Sequence, residues 1–282
     1  MDMPYLCTHL AFANRVANAI GQPLESLGES YVLGCFGPDV YFYDRLPPTP
    51  FVPHQKKHGN RLHALDCAVL FDALSDASDD SLRAYLKGFL THIALDSTLH
   101  PYIESKHRGI DHTRFEGVID AIVYADTKDR IPYREILLRR PDADAIDALL
   151  AKASETLLNA SVKGAYRRSA RKFRRLVPFL FDPKGRRFRA ILRAERLFKK
   201  EGLLSAFLLA AERGDPEDCM NLSRKEWTSP WEPDRIRTES VPMLFDDAEA
   251  LAVSLIRAFD ANDREALLKL LSGRTMQKGV LA

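Results

Sequence analysis

Between His92 and Glu116 five side chains able to bind a divalent cation recur at helical spacing: His92, Asp96, His100, His112 and Glu116. Within each set the residues are four apart, a little more than one helical turn, so His92, Asp96 and His100 stack on one helix face and His112 and Glu116 on another. Two helices can then turn imidazoles and carboxylates toward a common point. Those ligand types suit zinc where thiolates are not on offer, and a catalytic zinc keeps a position open for water. The chemistry to expect is activation of water, without a covalent intermediate on the protein.

All eight histidines fall between His9 and His112, and the remaining carboxy-terminal residues contain none. Asp96, with His92 one turn before it and His100 one turn after, is placed to bridge two ions. Asp120 continues the face of His112 and Glu116 and reads as an acceptor for the N–H of a ligand imidazole. His107, in Glu104-Ser-Lys-His-Arg-Gly, reads as a rim residue.

The elements that must position these groups are helical. Periodicity of 3.6 dominates, and no pair of alternating apolar runs marks a hairpin, so the fold class is all-α. A first helix starts near Thr8, whose hydroxyl can cap it, and stops at Gly21-Gln22-Pro23. A short helix over 24–33 leads into the turn-forming stretch Gly34-Cys-Phe-Gly-Pro-Asp39, which can fix the Asp39 carboxylate. Residues 44–58, with four prolines, form a loop long enough to cover or build a site. Helices follow at about 59–76, 79–99 and 111–126, with Pro101 closing the second directly after His100. Further helices lie near 133–138, 143–160, 163–178, 186–212 and 243–271. No linker composition separates the halves, and the expectation is one domain over 1–282, with metal-ligand helices in 1–126 and a helical scaffold with a basic surface in 127–282.

Composition excludes some classes. No apolar run reaches the roughly eighteen residues of a membrane span, and Met1-Asp-Met-Pro lacks the layout of a secretory signal, so a cytoplasmic protein is expected. Cys7, Cys35, Cys67 and Cys219 have no CxxC spacing and sit among apolar neighbours, as reduced structural residues do. The net charge is only +2, yet Arg167 to Lys200 holds fourteen Lys or Arg against Asp182 and Glu195. A surface of that kind attracts anionic lipid headgroups, nucleic acid or another polyanion.

Taken together, these segments resemble the bacterial zinc-dependent phospholipase C family, all-helical phosphodiesterases distantly related to single-strand-specific zinc nucleases. The similarity rests on Thr8-His9-Leu-Ala-Phe-Ala-Asn14-Arg15-Val16, on Gly37-Pro38-Asp39, on His92-x3-Asp96 followed by His100, and on His112-x3-Glu116-x3-Asp120. It extends more weakly to Asn221, Trp227, Pro230 and Trp231, and the spacing to His100 is shorter than in secreted members. The resemblance implies a centre of two or three zinc ions. One ion would be held by Asp39, His92, Asp96 and a loop histidine, a second by His100, His112 and Glu116, and a third by His9 with Asp96 as bridge. In secreted members an amino-terminal Trp completes the third site, and here no Trp precedes Trp227. The loop histidine is His54, His58 or His63. His63 is preferred because Gly59-Asn-Arg-Leu-His63 is similar to a Gly-x-x-Leu-His stretch of intracellular members. Asp39 can act either as a ligand or as the base that orients water. The implied substrate is a phospholipid or other phosphodiester. Glu116, where the nucleases tend to carry Asp, favours lipid over nucleic acid. A non-catalytic protein that keeps the ligands for folding is the alternative from a different class.

Overall fold

Helical periodicity is realised as an all-α structure, in which two-residue strands are the only paired strands among the described residues. This computed structural model describes residues 6–45, 56–75, 79–107, 110–137, 143–199, 204–209 and 218–280.

Helix α1 (Leu6–Ala19) buries Leu6, Leu10, Ala13, Val16 and Ala17. It begins before Thr8, which lies inside it with a buried hydroxyl lacking a hydrogen-bond partner. The cap comes from far away in sequence. Asp120 Oδ1 accepts the N–H groups of Cys7 and Thr8 at 2.8 and 2.7 Å, satisfying donors that a helix start leaves open.

Helix α2 (Leu24–Cys35) runs into a 3₁₀ segment, Gly37–Arg45. The expected helix over 59–76 is two helices, α3 (Lys56–His63) and α4 (Cys67–Leu74). Asp66 causes the break: its Oδ1 caps α4 by accepting from Ala68 N at 2.9 Å and Val69 N at 3.2 Å. The break leaves His63 at the end of α3.

Helix α5 (Asp80–Lys106) is the axis of the molecule and packs most extensively on α2 and on α11 (Val241–Asp260). At its crossing with α2 the two backbones touch. A Cβ on Gly34 would lie 2.1 Å from Tyr85 O, and one on Gly88 would lie 2.1 Å from Tyr31 O. This contact pins the end of α2, and with it Asp39, against the ligand face of α5. Pro101 does not end α5, which continues for another turn to Lys106. A proline there forfeits the hydrogen bond to Ser97 O, and a carboxy-terminal hairpin packs over the freed carbonyl.

Helices α6 (Ile110–Thr127), α7 (Tyr133–Leu137), α8 (Asp144–Leu158) and α9 (Ala165–Leu180) follow the expected pattern. The helix expected over 186–212 is shorter, α10 (Arg186–Leu197), followed after a gap in the description by a 3₁₀ turn at Ser205–Phe207. The one expected over 243–271 is split at Asn262, whose φ is +54°, into α11 and α12 (Arg264–Leu271). Two hairpins absent from the sequence reading frame this part: β1 (Trp227–Thr228) pairs with β2 (Ile236–Arg237), and β3 (Arg274–Thr275) with β4 (Gly279–Val280). Strands of two residues are too short to show alternation, which is why the pattern missed them.

Part of the basic stretch is structural. Arg168 binds the fully buried Asp44 carboxylate in a fork at 2.9 and 3.1 Å, tying α9 to the 3₁₀ segment that carries Asp39. Trp227 is likewise a packing residue: it is buried, its indole N–H donates to Glu239 O at 3.1 Å, and the Arg237 guanidinium stacks 4.4 Å from its ring. All four cysteines are buried, and none is paired in a disulfide. No helix among the described residues is long and apolar enough to cross a membrane.

Candidate metal centre

Three consecutive turns of α5 present His92, Asp96 and His100 along one line. Three other elements converge on His92 and Asp96: α1 brings His9, the 3₁₀ segment brings Asp39, and α3 ends on His63. The His9 and His92 rings stack with centroids 4.7 Å apart. His9 Nε2 lies 3.7 Å from Asp39 Oδ2 and 3.5 Å from Asp96 Oδ1, while His92 Nε2 lies 3.3 Å from Asp96 Oδ2. His63 Nε2 is 2.9 Å from Asp39 Oδ1 and 3.7 Å from Asp96 Oδ2.

One turn further along α5 a second group forms with α6. His112 Nε2 is 2.6 Å from Glu116 Oε1, and His100 Nε2 is 3.9 Å from the same oxygen. His100 Nδ1 is also 3.8 Å from Asp96 Oδ2, so Asp96 stands between the two groups. Ligand atoms of His9, Asp39, His92 and Asp96 all lie within 4.8 Å of one another, and those of His100, His112 and Glu116 do likewise.

The imidazoles are held from behind. His63 Nδ1–H donates to Gly59 O at 2.8 Å, leaving Nε2 toward the two aspartates. His100 Nδ1–H donates to Met276 O at 2.8 Å, leaving Nε2 toward Glu116. A carbonyl partner of this kind fixes the tautomer and ring angle of a ligating histidine. Met276 sits in the β3–β4 turn, and the next residue, Gln277, donates its N–H to His63 O at 3.3 Å. The carboxy-terminal hairpin therefore touches both groups. Its β4 strand can approach because Gly279 has no side chain: a Cβ there would lie 2.7 Å from Ser97 O and 2.9 Å from Pro101 Cγ.

Glu104 was missing from the candidate residues. Its Oε1 lies 3.2 Å from His112 Nδ1. It continues the four-residue series His92, Asp96, His100, Glu104, a signal hidden by ending the helix at Pro101. Tyr43 was missed as well. Its buried hydroxyl has no hydrogen-bond partner, and the residue lines a cavity of about 30 Å³ with Thr113, Glu116, Asp120, Phe207 and Leu208.

The electrostatics call for a cation. Burial, reinforced by Asp39 and Glu116, raises the Asp96 carboxyl well above its usual range. Burial, with His9, His63 and His100 adding to it, holds His92 well below the ordinary imidazole value. Burial also brings His9 down to about 4 despite Asp39. At His63 burial is outweighed by the hydrogen bond and charge of Asp39 and by Asp96, and its pKa rises to about 9. At His112 burial is outweighed by Glu116 and Glu104, and the value rises to about 10. His92 Nε2, Asp96 Oδ2 and Glu116 Oε2 are buried without hydrogen-bond partners among the described residues. Buried polar atoms of that kind are costly, and divalent ions bound among them would satisfy all three. With nitrogen and carboxylate donors and no thiolate, the set fits zinc.

Other residues fall elsewhere. His58 pairs with Ser154 Oγ at 2.9 Å and packs edge-on to Tyr41. His54 lies outside the described residues. His107 is half-buried against Phe115, with centroids 5.0 Å apart. Asp120, expected behind an imidazole, caps α1 and so fixes the turn that carries His9. His9 itself, expected apart from the loop-histidine site, lies in the same group as Asp39 and His92.

A family model described as zinc-dependent phospholipase C matches residues 8–171, a span that contains both groups and stops before the hairpin. No curated protein and no solved structure matches the chain.

Proposed function

This chain belongs to the zinc-dependent phospholipase C family, and from that premise we propose that it is a zinc-dependent phosphodiester hydrolase that releases a phosphorylated headgroup from a phospholipid. The observation that carries the proposal is the position of Asp96, 3.3 Å from the His92 Nε2 of one group and 3.8 Å from the His100 ring of the other, on the Nδ1 side that faces Met276 O. Asp39, His63, His92 and Asp96 would hold one ion, and His100, His112 and Glu116 a second. His9, beside Asp39 and Asp96, would contribute to a third. Bound zinc supplies a Lewis acid that lowers the pKa of water from about 16 toward 7 and offsets the charge of a phosphodiester in its transition state.

The chain's own residues then have separable tasks. Gly59 and Met276 carbonyls orient His63 and His100, and Glu104 does the same for His112. Asp39, whose carboxylate faces the Nε2 atoms of His63 and His9, can be a ligand or orient the attacking water. Hydrophobic packing around His92 keeps bulk water from the buried side, which strengthens the attraction of these carboxylates for a cation. The packing of α11 on α5 supports one domain over 1–282, with scaffold residues from 127 onward.

The test is hydrolysis of phosphatidylcholine vesicles, of a soluble chromogenic phosphodiester and of single-stranded DNA. Phosphodiester hydrolysis that a chelator abolishes and zinc restores, with the phospholipid preferred, is the expected result. Activity on DNA alone would replace the phospholipase reading with a nuclease one. Chelator-resistant activity, or none on any substrate, would end the hydrolase proposal.

A further inference from the structure

Helix α10 differs from the other long helices in what it buries. Its sequence, Arg-Arg-Phe-Arg-Ala-Ile-Leu-Arg-Ala-Glu-Arg-Leu, is basic and amphipathic, yet its only buried residue is Glu195. That carboxylate is fully used: Oε1 accepts from Ser205 N at 3.0 Å and from Leu204 N, and Oε2 accepts from Ser205 Oγ. Phe188, Ile191 and Leu192 are partly buried, whereas the apolar residues at and just beyond the carboxy-terminal end of the helix face out. Leu197 is 79% exposed, Phe198 70%, and Leu204, drawn to the same end by Glu195, 49%. Arg193 and Lys199 lie within about one turn of Leu197, and Arg186 lies at the other end of the helix; all three are exposed, and the one acidic residue from 183 to 199, Glu195, is buried.

We propose that α10, with Leu197, Phe198 and Leu204, is a docking surface for an anionic lipid bilayer. Two observations choose this occupant. Cations interspersed with protruding apolar side chains match the headgroup layer, where charge meets phosphate and Leu or Phe enters the acyl boundary. A nucleic acid would use the cations and stacking rings but leave Leu197 and Leu204 in water. Continuity with the metal centre is the second. The Ser205–Phe207 turn that Glu195 holds packs on both α10 and α6, and Phe207 and Leu208 line the cavity beside Glu116. A bilayer seated on α10 therefore adjoins the turn that lines the cavity at Glu116, in the group of His100, His112 and Glu116. Trp227 plays no part, since its indole is buried. The choice of lipid as the substrate-bearing surface rests on the phospholipase reading above.

The full-length zinc-loaded protein is sedimented with vesicles of phosphatidylcholine alone and with vesicles containing phosphatidylserine. Binding is expected to favour the anionic vesicles and to weaken with salt. The double variant Leu197→Ser, Phe198→Ser is expected to lose at least about tenfold in partitioning. Arg193→Gln and Arg186→Gln are expected to lose roughly fivefold each. Because these side chains are exposed, every variant should keep its melting temperature and its rate on the soluble phosphodiester. Unchanged vesicle binding by the double variant, equal binding to neutral and anionic vesicles, or tighter retention on a DNA oligonucleotide than on vesicles each overturns the proposal. Vesicle binding without any hydrolysis supports the docking surface and counts against the enzymatic reading. Hydrolysis of vesicle lipid at wild-type rate by the double variant does the reverse.

Discussion

The group around His92 and the group around His112 use the same side-chain types but differ in how they are built and in their access to water. His9, Asp39, His63 and His92 come from four separate elements, and none of these side chains is more than 8% exposed. His100, His112 and Glu116 come from adjacent helices within seventeen residues of sequence, and there the His100 side chain is 17% and Glu104 23% exposed. The sealed group depends on the whole fold to bring its ligands together. The open group is nearly local, and His100 is the ligand that opens it, since His112 and Glu116 are only 4% and 5% exposed. Asp96 joins them, so the sealed half anchors a carboxylate on which the open half also draws.

That contrast can be broken at several points. Asp96→Asn should have the largest effect, removing metal from both groups and lowering turnover by ~10³-fold or more, beyond the roughly 10–100-fold that loss of a supporting hydrogen bond costs. Loss of metal from one group alone would show that Asp96 is not shared. His112→Ala should empty only the open group: metal analysis should find one zinc fewer per chain, with turnover down by at least ~100-fold. Equal loss from both groups would erase the distinction between them.

Gly279→Val acts from behind. The new side chain meets Ser97 O and Pro101, displaces the hairpin from His100, and should weaken zinc at the open group by about 10–100-fold. His63 keeps its Gly59 partner, so titration with a competing chelator should find the sealed group little changed. Asp120→Ala removes the cap of α1 and should cost about 1–2 kcal/mol in denaturant unfolding, with a smaller effect on metal through His9. His58→Ala should be the mildest for function. It should lose about 1 kcal/mol with its Ser154 partner, while zinc content and turnover stay at wild-type values; loss of zinc would transfer the ligand role from His63 to His58.

Much of this was readable in the sequence because helical spacing is a local property. The four-residue steps over 92–100 and 112–116 are enough to place those side chains on shared faces, and the all-α pattern follows from periodicity. What was not readable depends on contacts distant in sequence. Asp120 caps a helix that begins 114 residues earlier, and nothing near Thr8 announces this. The Met276 carbonyl has no side-chain signature, since any residue could supply it. Glu104 is a different case. Its spacing was visible, but the usual helix-ending effect of proline hid it, and only the packing of the β4 backbone over Ser97 explains why Pro101 is tolerated.

The central claim is that two groups of ligands, joined by Asp96, hold separate ions. An anomalous difference map at the zinc edge, from crystals of protein purified without chelators, tests it most directly. At least two peaks are expected, one among Asp39, His63, His92 and Asp96 and one among His100, His112 and Glu116. A single peak, or none, would contradict the account.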